Sequence, residues 1–192
     1  MRSRLHMGRF FLDSSVVQTM HDEGEYLYDG GRLKHPEKPM RTANGLDNLD
    51  ALRALLIDAS RGRQLVVTRA VLDEAAGREG QGHLHWAYEL ADYWAAMMDA
   101  DDAQRNHDEA TKVALSQIGG REFGYLSTKD RRMLAEAIAN RCGHFLTLDI
   151  RLVRNARHLL EVVGCHVVAP RDLWNCLAHA SCVPNWASSG PG

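Results

Sequence analysis

A three-layer α/β/α fold, with a central parallel sheet of about four or five strands, is predicted by three observations. Short apolar runs at 10–12, 64–68, 145–149 and 164–170 each have the length of a buried strand. Helix-compatible segments alternate with these runs, and the connections are long enough for crossovers between parallel strands. An apolar fraction of 45% and a charged fraction of 25% are ordinary for a globular chain that buries a core.

The elements follow in order. The segment GRFFLDSSVVQTM opens with a strand that ends at Asp13 and continues as a helix. Residues 22–45 carry DGG, HPEKP and ANG turn signals, which predict a long surface loop or insertion. Leu46, Leu49, Leu52, Leu55 and Leu56 recur at helical spacing and predict an amphipathic helix ending at Gly62. QLVVT at 64–68 is a second strand, followed by a helix carrying Glu74. Residues 82–118 read as the longest helical region, broken near the DADD at 99–102. Trp86, Leu90, Trp94, Met97 and Met98 line one side of it as core rather than as a cofactor site. A further helix starts with Ser127 or Thr128 as N-cap and ends with Gly143 at the C-cap position. GHFLTLD and GCHVVAP are the third and fourth strands, the last cut off by Pro170. The expected domain spans 9–175, with 176–192 as a tail and the opening MRSRLHM left outside the fold.

Composition excludes several classes. A formal net charge of −2 argues against a generally basic nucleic-acid binder. No apolar run reaches the roughly 18 residues of a membrane span, and no secretory h-region follows the basic start, so a cytoplasmic location is expected. Cys142, Cys165, Cys176 and Cys182 are too scattered for a disulfide framework. Cys176, His179 and Cys182 recur every three residues, but no CxxC supports a zinc site, and His83 with His85 is equally weak.

The acidic residues carry the chemical signal. Each has a structural explanation: Asp130 stands three residues after Ser127, the capping-box spacing, and Asp13 or Asp149 can cap the helix after its strand. Glu74 can be a solvated residue beside Asp73. Taken jointly, two acids ending strands and two on helices entered from the sheet can converge on one edge. Carboxylates that close repel one another unless a divalent cation lies between them, and hard oxygen ligands suit Mg²⁺ or Mn²⁺.

From Arg9 to Leu173 the chain resembles the PIN-domain nucleases. The resemblance rests on FFLDSS at 10–15, VTRAVLDEA at 67–75, KDRRMLAEAIA at 129–139, FLTLD at 145–149 and VVGCHVVAP at 162–170. It implies Asp13, Glu74, Asp130 and Asp149 as catalytic metal ligands for Mg²⁺ or Mn²⁺, with Ser14, Ser15 and Thr147 as supporting polar groups. It also implies an endoribonuclease acting on RNA, with the toxin of a toxin–antitoxin pair as one role, an antitoxin protein as partner and a homodimer through the apolar helices at 46–62 and 82–98. Glu74 is preferred over Asp73 because it shares a helical face with Val71 and Ala75. Many members of that family have a further acid beyond Thr-x-Asp, whereas IRLVRN supplies only arginines and Asn155.

Charge adds support. Between 121 and 158 eight Lys or Arg face four acids, a local balance of +4 in a chain of −2. Arg131, Arg132, Arg151 and Arg154 are the expected nucleic-acid contacts. Against the nuclease stands a catalytically inactive PIN-like module that binds nucleic acid or serves as a scaffold. An aspartyl-phosphate phosphatase is disfavoured because LDSS lacks the Asp-x-Asp expected at the first strand, and a receiver domain because no late lysine follows a strand.

Overall fold

Four parallel strands in the order β2-β1-β3-β4 form the sheet of this computed structural model, which describes residues 6–40, 44–59, 64–76, 85, 89 and 107–178. The strands are β1 (His6–Leu12), β2 (Gln64–Val66), β3 (Cys142–Leu146) and β4 (His166–Val168). Helices α1 (Ser14–Asp22), α2 (Glu37–Met40) and α3 (Gly45–Ala59) lie between β1 and β2, with α4 (Arg69–Ala76), α5 (His107–Gln117) and α6 (Thr128–Ala139) between β2 and β3. Helices α7 (Ile150–Arg154) and α8 (Ala156–Val163) connect β3 to β4, and α9 (Pro170–Ala178) follows β4.

The two central strands are apolar on both faces because helices cover both. Phe11 pairs with Phe145 in the β1–β3 register, and their rings stack at 5.3 Å with both side chains fully buried. One residue along, on the other face, Phe10 stacks on His144 at 5.2 Å. Helix α3 packs against α9, while α5 packs against α6 and α8, so helices enclose the sheet as a three-layer α/β/α arrangement.

This strand order decides where a ligand can sit. The chain leaves β1 toward β2 on one side and then crosses over to β3 on the other, so the connections diverge between β1 and β3. In an open parallel sheet such a divergence opens a crevice at the carboxyl ends of the strands. Asp13 directly follows β1, and Asp149 lies three residues beyond the end of β3, as the N-cap of α7.

Several local expectations are corrected. Strand β1 begins at His6 and pairs with Cys142, so part of the opening segment belongs to the sheet. Among the described residues of the 22–45 segment, a π-helical turn (Glu25–Asp29) and α2 add short helical pieces, and Leu27 is fully buried. Buried Glu23 holds the return of this segment by accepting the backbone N–H groups of Lys34 at 2.7 Å and His35 at 3.0 Å. Helix α6 stops at Ala139, and Arg141 (φ 55°) takes the left-handed position after it, whereas Gly143 lies inside β3. Helix α9 continues past 175 to Ala178. The helical region at 82–118 is described only at His85, at Glu89 and from His107 onward. The stripe from Trp86 to Met98, His83, His179 and Cys182 lie outside the described residues.

Candidate metal centre

Asp13 stands where β1 gives way to α1. Its backbone N–H continues the ladder to Leu146 O at 3.0 Å, and its carbonyl accepts from Val16 and Val17, but its side chain makes no capping bond. The carboxylate faces inward instead and is 3% exposed. Its Oδ2 accepts two hydroxyls, Ser15 Oγ at 2.6 Å and Thr147 Oγ1 at 2.7 Å. The other oxygen, Oδ1, is buried with no hydrogen-bond partner. Burial raises the Asp13 pKa, the Ser15 and Thr147 bonds oppose that rise, and the negative charge of Asp130 adds to it.

Thr147 joins the two strand ends. It is fully buried, its N–H reaches Val168 O at 3.1 Å, and its hydroxyl accepts the Asp149 N–H at 3.0 Å while donating to Asp13. Ser15 completes the bracket by accepting the Leu148 N–H at 3.1 Å. Of the two serines, Ser15 donates the hydroxyl, while Ser14 is buried and contributes its backbone N–H.

Asp149 lies three residues beyond β3 in a different environment. It caps α7 through the Arg151 N–H at 2.8 Å and forms an ion pair with the Arg151 guanidinium, Nη2 to Oδ2 at 2.6 Å. Those bonds lower its pKa against a smaller opposing effect of burial. Asp130 forms a complete capping box at the start of α6: Ser127 N–H donates to its Oδ2 at 2.9 Å, and its own N–H donates to Ser127 Oγ at 3.1 Å. Asp130 also interacts electrostatically with both Asp13 and Arg151, which ties Asp13, Asp130 and Asp149 into one neighbourhood.

Glu74 reaches the same edge from α4. Its side chain is 10% exposed and lies 3.7 Å from the ammonium of Lys129, the residue before Asp130. Asp73, by contrast, is exposed and pairs with Arg69 at 2.8 Å.

Among the described residues, no three His, Cys, Asp or Glu side chains are placed to hold a metal together. In this conformation Asp130, Asp149 and Glu74 engage Ser127, Arg151 and Lys129. The donor chemistry nevertheless fits a hard cation. It consists of carboxylates braced by hydroxyls, and a buried carboxylate oxygen without a donor is what a cation would satisfy. Both Lys129 and Arg151 are largely exposed, so their ion pairs are of the weak, exchangeable kind.

The expected nucleic-acid arginines differ in how they are used. Arg131 donates to the carbonyls of Gly119 at 3.1 Å and Phe123 at 2.9 Å and so holds the 3-10 turn (Arg121–Phe123) against α6. Arg132 pairs with Glu136 at 3.2 Å, Arg151 with Asp149, and Arg154 is exposed. Glu136 was missed at the sequence level. It is buried and accepts the Thr68 hydroxyl, which fastens the β2–α4 turn to α6. An acid inside the apolar stretch MLAEAIA is the signal that could have found it. Comparison of the chain with protein-family models, curated proteins and solved structures finds no match.

Proposed function

We propose that the chain is a metal-dependent endoribonuclease of the PIN type that hydrolyses RNA phosphodiester bonds. The observation that carries this reading is the partnerless buried Oδ1 of Asp13 at the divergence of β1 and β3, with the Asp130 charge acting on it. Asp13, Glu74, Asp130 and Asp149 would hold Mg²⁺ or Mn²⁺. When bound, such an ion lowers the pKa of water and offsets charge on phosphoryl oxygens. Ser15 and Thr147 position the Asp13 carboxylate by occupying Oδ2, which leaves Oδ1 for the cation. On this reading exposed Arg154 and Arg132 would supply positive charge for the phosphate backbone.

RNA as substrate and an antitoxin protein as partner rest on the resemblance of the sequence blocks. A homodimer is part of the same proposal: Leu46 and Ile57 leave α3 with exposed apolar groups, and light scattering at micromolar concentration tests it, a monomer counting against it. The enzymatic reading is tested by incubating single-stranded and structured RNA with the protein and Mg²⁺ or Mn²⁺. Cleavage that stops with EDTA, returns with either ion and is lost in Asp13→Asn supports it. Cleavage indifferent to EDTA and unchanged in that variant would refute it.

A second reading, a catalytically inactive PIN-like module that binds nucleic acid or acts as a scaffold, draws on the engagement of Asp130, Asp149 and Glu74 by protein partners. RNA binding without cleavage under every metal condition would favour it.

A further inference from the structure

Arg151 is placed unlike the other cations near the acids. Its Nη2 lies 2.6 Å from Asp149 Oδ2, and its Nε lies 3.2 Å from both Asp149 oxygens. Its charge also acts on Asp130, the residue whose own charge reaches Asp13. Lys129 makes one looser contact, with Glu74 at 3.7 Å. The Arg151 side chain is 68% exposed, so little holds it in place apart from the acids.

Resting on the metal-centre reading above, we propose that Arg151 is a built-in counter-ion at the edge of the acidic cluster, which competes with a divalent cation for Asp149. A guanidinium on Asp149 neutralises part of the negative charge that would attract a cation and occupies the carboxylate edge that would coordinate it. Arg151 makes no hydrogen bond to the partnerless Asp13 oxygen, so the counter-ion satisfies only part of the cluster. Loading the site then requires Arg151 to swing into solvent, where an exposed guanidinium is well hydrated and also free to meet a phosphate.

The test is Mn²⁺ binding by isothermal titration calorimetry on the full chain, comparing the parent protein with Arg151→Gln, Arg151→Lys and Asp13→Asn, each checked for native circular dichroism. Arg151→Gln is expected to bind Mn²⁺ roughly three- to tenfold more tightly, because a repulsive charge and a competing ligand are both removed. Arg151→Lys, which keeps the charge but loses the planar fork, should bind Mn²⁺ with an affinity between those of the parent and Arg151→Gln. Unchanged or weaker binding in Arg151→Gln overturns the inference, as does Arg151→Lys binding as tightly as Arg151→Gln. If the parent binds Mn²⁺, Asp13→Asn abolishes that binding and Arg151→Gln changes nothing, this inference alone fails. If neither the parent nor Arg151→Gln binds Mn²⁺, the metal-centre reading fails with it.

Discussion

Asp13 and Asp149 follow adjacent parallel strands, yet their carboxylates have opposite surroundings. Asp13 is buried, has one oxygen without a donor and has a raised pKa; Asp149 is partly exposed, caps a helix, pairs with a guanidinium and has a lowered pKa. One residue, Thr147, is bonded to both. The difference teaches that a strand-end aspartate is not one kind of site. Asp149 has its charge compensated within the protein, and Asp13 does not. Environments that push two carboxylates apart in this way often divide chemical roles between them.

The largest effect expected from this contrast is on catalysis. Asp13→Asn should lower Mg²⁺-dependent RNA cleavage by about a hundredfold or more, since it removes the charge that no protein group compensates. Asp149→Asn should also reduce cleavage but leave a measurable residue, because that carboxylate is already shared with Arg151. Single-turnover rates on one RNA would rank the two. Equal activity in both variants and the parent would remove the metal role from both.

Next in size is metal-free stability. At neutral pH Asp13→Asn should stabilise the fold by on the order of 1–2 kcal/mol, because a buried amide is less costly to leave partly unpaired than a buried charge. Asp149→Asn should shift Tm by no more than about 2 °C, since Asn caps nearly as well as Asp. The pH dependence differs in sign. The folded pKa of Asp13 lies above the ordinary 3.8, so its stabilising protonated form is fully present below 3.8 and lost as pH rises through the raised value. The advantage of Asp13→Asn over the parent therefore grows with pH. For Asp149 the folded pKa lies below 3.8, so its contribution is complete above 3.8 and lost as pH falls through the lowered value. Urea melts from pH 3 to pH 7 would reveal the two trends, and parallel trends would break the comparison.

A smaller effect is expected at the residue that links the two aspartates. Thr147→Val keeps the buried shape but deletes the donor to Asp13 and the acceptor for the Asp149 N–H, and should cost about 1–3 kcal/mol. Smaller still, Ser127→Ala should cost about 1 kcal/mol by opening the capping box at α6. Denaturant midpoints at constant m check both, and a Thr147→Val variant as stable as the parent would mean that the link does not brace the site.

The sheet was largely legible because its central strands end in short apolar runs followed by polar residues: Phe10 to Leu12, then Asp13, and Phe145 and Leu146, then Thr147. The capping box was legible because its partners are three residues apart. What escaped depends on partners distant in sequence. Glu23 orders the 22–45 segment by binding backbone that returns at Lys34 and His35, so turn signals alone read as an open loop. The structural bonds of Arg131 were not legible because its carbonyl partners, Gly119 and Phe123, meet it only once the 3-10 turn has folded back. That Asp13 has a buried oxygen with no donor, while Asp130, Asp149 and Glu74 engage partners, was not legible, because burial and compensation are set by tertiary packing.

Thermal unfolding of the parent and Asp13→Asn at pH 7 across a Mn²⁺ titration tests the central claim most directly. If Oδ1 of Asp13 anchors a divalent cation, the parent should gain stability with rising Mn²⁺, about 2.7 kcal/mol at a concentration one hundred times Kd, while Asp13→Asn, more stable at the start, should gain almost nothing. Parallel gains in both proteins, or none in either, would contradict the assignment of Asp13 as the anchor of a metal centre.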